Sequence, residues 1–241
     1  MYNINNSRLN KVDGIKNILV AMIVIGSLWG LLDAITVIYI SPMFHIRKLC
    51  LCPITVVIYG FTLMSFALVK YRRPLMLIGI GLIAALFKLL DFAILTLPVI
   101  NGQTIYQPVV NPALASITVS IVFAVIAGTL VNKLEKNIFM RIITGTVAGF
   151  LSVVAFVYSA FYITQTPPLI VKTPFQLIYS FHVIVTAIFG AIFLPFGFWL
   201  ESRWYGKIII LQTKKMSLYY VGSGVIVMFC ILAYTIILFM R

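Results

Sequence analysis

The sequence predicts an all-α, polytopic transmembrane helix bundle of six or seven spans, with its N-terminus in the cytoplasm. Three observations carry this. Apolar residues fill 62% of the 241 positions and charged residues only 10%, against roughly 45–50% and about 25% in soluble domains. The apolar residues come in runs close to the roughly 20 that a spanning helix needs. The basic residues gather in alternate loops, the asymmetry that orients a membrane protein. A net charge of +13 points to nucleic acid in a soluble chain. Here it reads as a topology signal, and no nucleic-acid partner is expected.

Residues 1–17 form a short polar segment expected in the cytoplasm, and 18–241 a single integral membrane domain. The first apolar run, about 18–40, is longer than the 7–15 residues of a signal-peptide core, so a retained span is expected. Six more runs follow, at about 51–69, 75–97, 113–131, 142–163, 177–199 and 218–239. Thirteen of the eighteen Lys and Arg residues lie before the first run or in the loops after the second, fourth and sixth. Four lie on the other side, and Lys88 lies inside a run. The excess places the N-terminus inside and, with seven crossings, the C-terminus outside. No internal repeat of the kind that builds many carriers is visible.

Helices in lipid approach closely where small residues recur four apart. The first run has Gly26, Gly30 and Ala34, and the third has Gly81 and Ala85. The fourth has Ser116, Ser120, Ala124 and Gly128, the fifth Gly145 and Gly149, and the sixth Ala187 and Ala191. Most of these are expected to pack the bundle itself. The stripes of the first and fourth runs are the longest, which makes them the candidates for contact with a partner membrane protein.

Charges inside a span are rare and face the bundle interior or a cavity. Asp33, Lys88 and Asp91 are the three here. At 1.5 Å per residue, Lys88 lies about 20 Å, Asp33 about 22 Å and Asp91 about 24 Å from the cytoplasmic edge. All three belong to the outer half of a core about 30 Å thick. Lys88 and Asp91 are three apart and share a helix face, so they are expected to pair. Asp33 follows Gly30 by three residues on the packed face of the first helix and is placed to join them. Other polar or aromatic groups fit the same outer level: Asn111, Tyr158 and His182, with Trp29 below as core or pocket wall. The loops TLPVINGQTIYQPVVNP and TQTPPLIVKTPFQ, rich in amides and proline, suit the cap of an outward-facing pocket.

Catalytic motifs are missing. There is no H-E-x-x-H and no Walker motif, no G-x-S-x-G, and no metal spacing among Cys50, Cys52 and Cys230. No cofactor, metal or catalytic residue is expected, and the chain has no means to hydrolyse ATP itself.

The stretches GSLWGLLDA in the first run, and LIAALFKLLDFAIL and NPALASI in the third and fourth, resemble the substrate-binding (S) component of energy-coupling factor transporters. The resemblance covers about residues 20–130. It implies a six-helix protein that binds a vitamin or metal from outside and works with a transmembrane coupling subunit and cytoplasmic ATPases. It also implies that Gly26, Gly30 and Ala34 meet the coupling subunit.

The expected function is therefore that of a membrane-embedded, small-molecule-binding subunit of a multi-subunit importer in the cell membrane. The binding set is Asp33, Lys88, Asp91, Trp29, Asn111, Tyr158 and His182. Two other classes stand beside it. One is an intramembrane enzyme using Asp33 or His182 in acid–base work. The other is a structural or assembly subunit in which the charges fix helix register.

Overall fold

The computed structural model describes residues 14–36, 51–90, 99–100, 103–104, 106–164 and 181–239. They form seven helices: α1 Ile15–Ile35, α2 Leu51–Tyr71, α3 Pro74–Leu89, α4 Gln107–Lys136, α5 Ile138–Thr164, α6 Phe181–Lys214 and α7 Met216–Phe239. Between α3 and α4 lie two-residue strands, β1 Val99–Ile100 and β2 Gln103–Thr104, paired antiparallel with Val99 opposite Thr104. Six of the helices are long and apolar enough to cross a membrane. The chain is a multi-pass membrane bundle whose spanning elements are helices, as its composition predicts.

Of the third run, expected to span 75–97, the described residues form a helix over Pro74–Leu89, and 91–97 lie outside them. The 16 residues of that helix reach about 24 Å, short of a 30 Å core. Lys88 sits in its last turn, where a cation suits the unpaired carbonyls of a helix C-terminus. The fourth run was expected to begin at about residue 113. The helix instead starts at Gln107 with a proline already in its first turn, and Pro112 lies inside. An internal proline has no N–H to give the preceding turn.

Helix α2 is central and packs on α1, α3, α4 and α6, while α3 joins α1 to α4 and α5 joins α4 to α6. The core is built on Trp29, Phe61, Met64, Phe123 and Leu194, all without exposure. Small residues bring the backbones together as lipid-embedded packing requires. A side chain at Gly145 would collide with the Gly190 carbonyl, so α5 and α6 cross backbone to backbone. Gly60 makes room for the Trp29 ring, whose Cζ2 would lie 2.7 Å from a Cβ there.

Helix α7 is docked from outside. It leans on α1, barely meets α6, and keeps much of its apolar surface exposed. The Tyr220 hydroxyl donates to Asn17 Oδ1 at 2.8 Å, and Tyr234 meets Phe87 edge to face at 5.7 Å. α7 thus runs alongside α1 in the same direction.

Candidate functional site

Four helix ends converge at the end of the bundle away from the basic loops. Asp33 comes from the end of α1, Thr55 from the start of α2, Lys88 from the end of α3 and Pro112 from the start of α4. Asp33 Oδ2 and Lys88 Nζ form an ion pair at 2.5 Å, with side chains 3% and 6% exposed. The Thr55 hydroxyl donates to Asp33 Oδ1 at 2.7 Å. Lys88 Nζ donates to the Pro112 carbonyl at 3.2 Å, which also accepts the Ser116 hydroxyl at 3.2 Å. Thr36 Oγ1 and the Tyr59 hydroxyl share a hydrogen bond at 2.7 Å on the same two helices, α1 and α2.

The physical reason for the pairing is dielectric. An isolated charge at this depth is costly, and a partner with further hydrogen bonds offsets most of that cost. Lys88 neutralises Asp33, while Thr55 and the Pro112 carbonyl occupy further donor and acceptor positions. The two charges cancel, leaving a strong local dipole between α1 and α3.

The expected partner of Lys88 was Asp91, which lies outside the described residues. The cation is bonded to Asp33 on another helix, the residue expected to join it from the first span. Asn111 is adjacent to Pro112, half-buried, and its Oδ1 is buried without a hydrogen bond. Trp29 is one turn below Asp33, fully buried in the core, and its Nε1 has no hydrogen-bond partner. Tyr158 stands on α5 with 39% exposure, facing away from the core, and His182 is half-buried at the outer end of α6. Neither makes a hydrogen bond to Asp33 or Lys88. Of the seven residues expected to form the set, Asp33 and Lys88 are in contact, Trp29 lies one turn from Asp33 and Asn111 beside Pro112.

The face expected to meet a coupling subunit is corrected too. A Cβ at Gly26 would lie 2.6 Å from Ile83 Cβ, and one at Gly30 the same distance from Phe87 Cβ. Ala34 packs with Leu31, Phe87, Cys230 and Tyr234. The stripe is occupied by α3 and α7 of this chain. In the α4 stripe Ser116, Ser120 and Ala124 are likewise buried, with Ser120 filling the space beside Gly81, while Gly128 is exposed.

A second polar cluster stands at the basic end, and sequence reasoning missed it. Arg72 Nη2 pairs with Glu135 Oε2 at 2.6 Å, with side chains 66% and 23% exposed. Arg141 lies 4.3 Å from the Phe198 ring centre and donates to the last carbonyls of α4, Leu134 at 2.6 Å and Glu135 at 2.8 Å. Glu201 is buried within electrostatic reach of Lys70 and Glu135. Gln212 Nε2 donates to the Tyr71 hydroxyl at 3.0 Å, which ties the end of α6 to the end of α2. The available signal was the scarcity of acids. Two of only five, Glu135 and Glu201, sit among the basic residues that had been read as topology marks.

Among the described residues, no group of three or more His, Cys, Asp and Glu side chains stands close enough to hold a metal ion. Comparison with protein-family models, with characterised proteins and with solved structures returns no match.

Proposed function

We propose that this chain is the membrane-embedded binding subunit of a multi-subunit importer in the cell membrane, taking a small polar molecule from the side opposite its basic loops. The observation that carries the reading is the Asp33–Lys88 pair at the junction of four helix ends, with the unpartnered Asn111 amide oxygen beside it. Buried ionisable groups in a membrane mark binding or transport sites by default. An ammonium group on the ligand would replace Lys88 at Asp33, and a carboxylate or other acceptor would replace Asp33 at Lys88. A zwitterion or neutral dipolar molecule therefore suits the site better than a polyanion. The resemblance to energy-coupling factor S components supplies the partners: a transmembrane coupling subunit and cytoplasmic ATPases. That coupling subunit would meet a face other than the Gly26–Gly30 stripe, which α3 occupies.

The test is native mass spectrometry of the protein released gently from its own host membrane. A co-purifying small molecule and ATPase subunits are the expected result. The ligand should be lost when Asp33→Leu and Lys88→Met are combined. Protein with neither ligand nor partners would overturn the proposal.

One observation favours a second reading, a structural or assembly subunit. Thr55 and the Pro112 carbonyl already engage both members of the pair. In that case the same double variant keeps every function of the chain, because a buried pair replaced by apolar groups of similar size is often tolerated.

A further inference from the structure

A cavity of about 240 Å³ lies between α1, α2, α6 and α7, away from the Asp33–Lys88 pair. Its walls are apolar, with Ile25, Phe66, Leu211 and Ile226 among them. Its polar groups are not spread evenly. Lys70 and Tyr71 come from the last turn of α2 and Tyr219 from the first turn of α7, so they gather at the basic end. Ile25 and Ile226 lie deeper, with the Ser223 hydroxyl partway down. From Leu218 to Ile226 the cavity extends about 12 Å along α7. Lys215, exposed in the turn that joins α6 to α7, adds a cation at the mouth. The side toward lipid is open because α7 packs on α1 and hardly on α6. A Cβ at Gly222, on the cavity wall, would meet nothing within 4 Å.

Polar and cationic at the membrane surface, apolar toward the bilayer centre, and open to lipid between two helices: this is the polarity gradient of a phospholipid. The volume is below the roughly 300–1,000 Å³ of pockets for drug-sized molecules, so a compact ligand is a poorer match than a single hydrocarbon chain. Basic pockets between helices at the cytoplasmic side are known to hold anionic headgroups. We infer that this cavity holds one acyl chain of an anionic phospholipid from the leaflet on the basic side, with the headgroup phosphate at the mouth beside Lys215.

The experiment is native mass spectrometry of the full chain in detergent, titrated separately with dioleoyl phosphatidylglycerol and dioleoyl phosphatidylcholine. The two lipids share their chains and differ in headgroup charge. Wild type should retain phosphatidylglycerol about fivefold more tightly, the gain expected from one lysine beside an anionic lipid. Gly222→Leu fills the cavity without a clash and should remove that preference, with an unchanged thermal midpoint in the absence of lipid. Ile226→Phe, at the deep end, should act in the same direction. Equal retention of the two lipids by wild type would overturn the inference. So would a preference that survives both filling variants, since it would then come from the basic surface at large.

Discussion

The two charged clusters of this bundle face the same problem and answer it differently. At the outer end, among the described residues, Asp33 meets Lys88 where four helix ends converge, with side chains 3% and 6% exposed. At the basic end, Arg72, Glu135, Arg141, Lys70 and Glu201 form a broader network, whose Arg72–Glu135 pair is 66% and 23% exposed. Depth explains the contrast. Away from water each charge needs partners from the protein, which Thr55, the opposite charge and the Pro112 carbonyl supply. Near the interface water supplies what the protein omits, so the network is large and open, and its members contribute through backbone carbonyls and ring contacts as much as through charge pairing.

The comparison is sharpest at Lys88. Lys88→Met leaves the Asp33 carboxylate buried against Thr55 without its counter-ion. A loss of about 3–5 kcal/mol is expected for a buried pair broken on one side, read as the fall in unfolding free energy in detergent. Adding Asp33→Leu should recover most of that loss, because the uncompensated charge is gone. A double variant no more stable than Lys88→Met would break the argument that charge burial, rather than packing, dominates there.

At the basic end the effects are expected to be smaller and graded. Arg141→Met removes donors to two carbonyls at the end of α4 and should cost about 1.5–3 kcal/mol, the range for hydrogen bonds to a charged group. Arg72→Ala touches only the exposed pair and should cost no more than about 1 kcal/mol. Its residual effect should vanish in 1 M salt, where the screening length falls to about 3 Å, while the penalty of Lys88→Met persists. Equal salt sensitivity at the two ends would erase the distinction between dry and wet clusters.

Legibility in the sequence follows the same division. Spans and basic loops are one-dimensional properties of the chain, and the long runs were readable from hydropathy alone. Asp33 and Lys88 stood out because a charge in an apolar run needs no alignment to be noticed. Their pairing was only half legible. Helical phase linked Lys88 to Asp91, three residues away, and placed Asp33 on a packed face where it could join them, without showing which of the two carboxylates the cation would bond. Thr55 and Pro112 gave no warning, since a threonine near a helix start and a backbone carbonyl are ordinary until another helix brings a charge to them. Glu201 and Glu135 were hidden for the opposite reason: charges at loop ends usually face water.

By itself, then, the sequence determined that the chain is a membrane bundle, roughly where it crosses, and which charges lie in the apolar runs. These depend on local composition and on the cost of placing polar groups in lipid. Which helix faces meet was decided only by tertiary packing. The Gly26–Gly30 stripe went to α3 rather than to a partner, Lys88 to Asp33 across the bundle, and α7 to α1 with an open seam beside α6. Small residues and charges state that a close neighbour is needed. The joint fit of the described helices decides which neighbour it is.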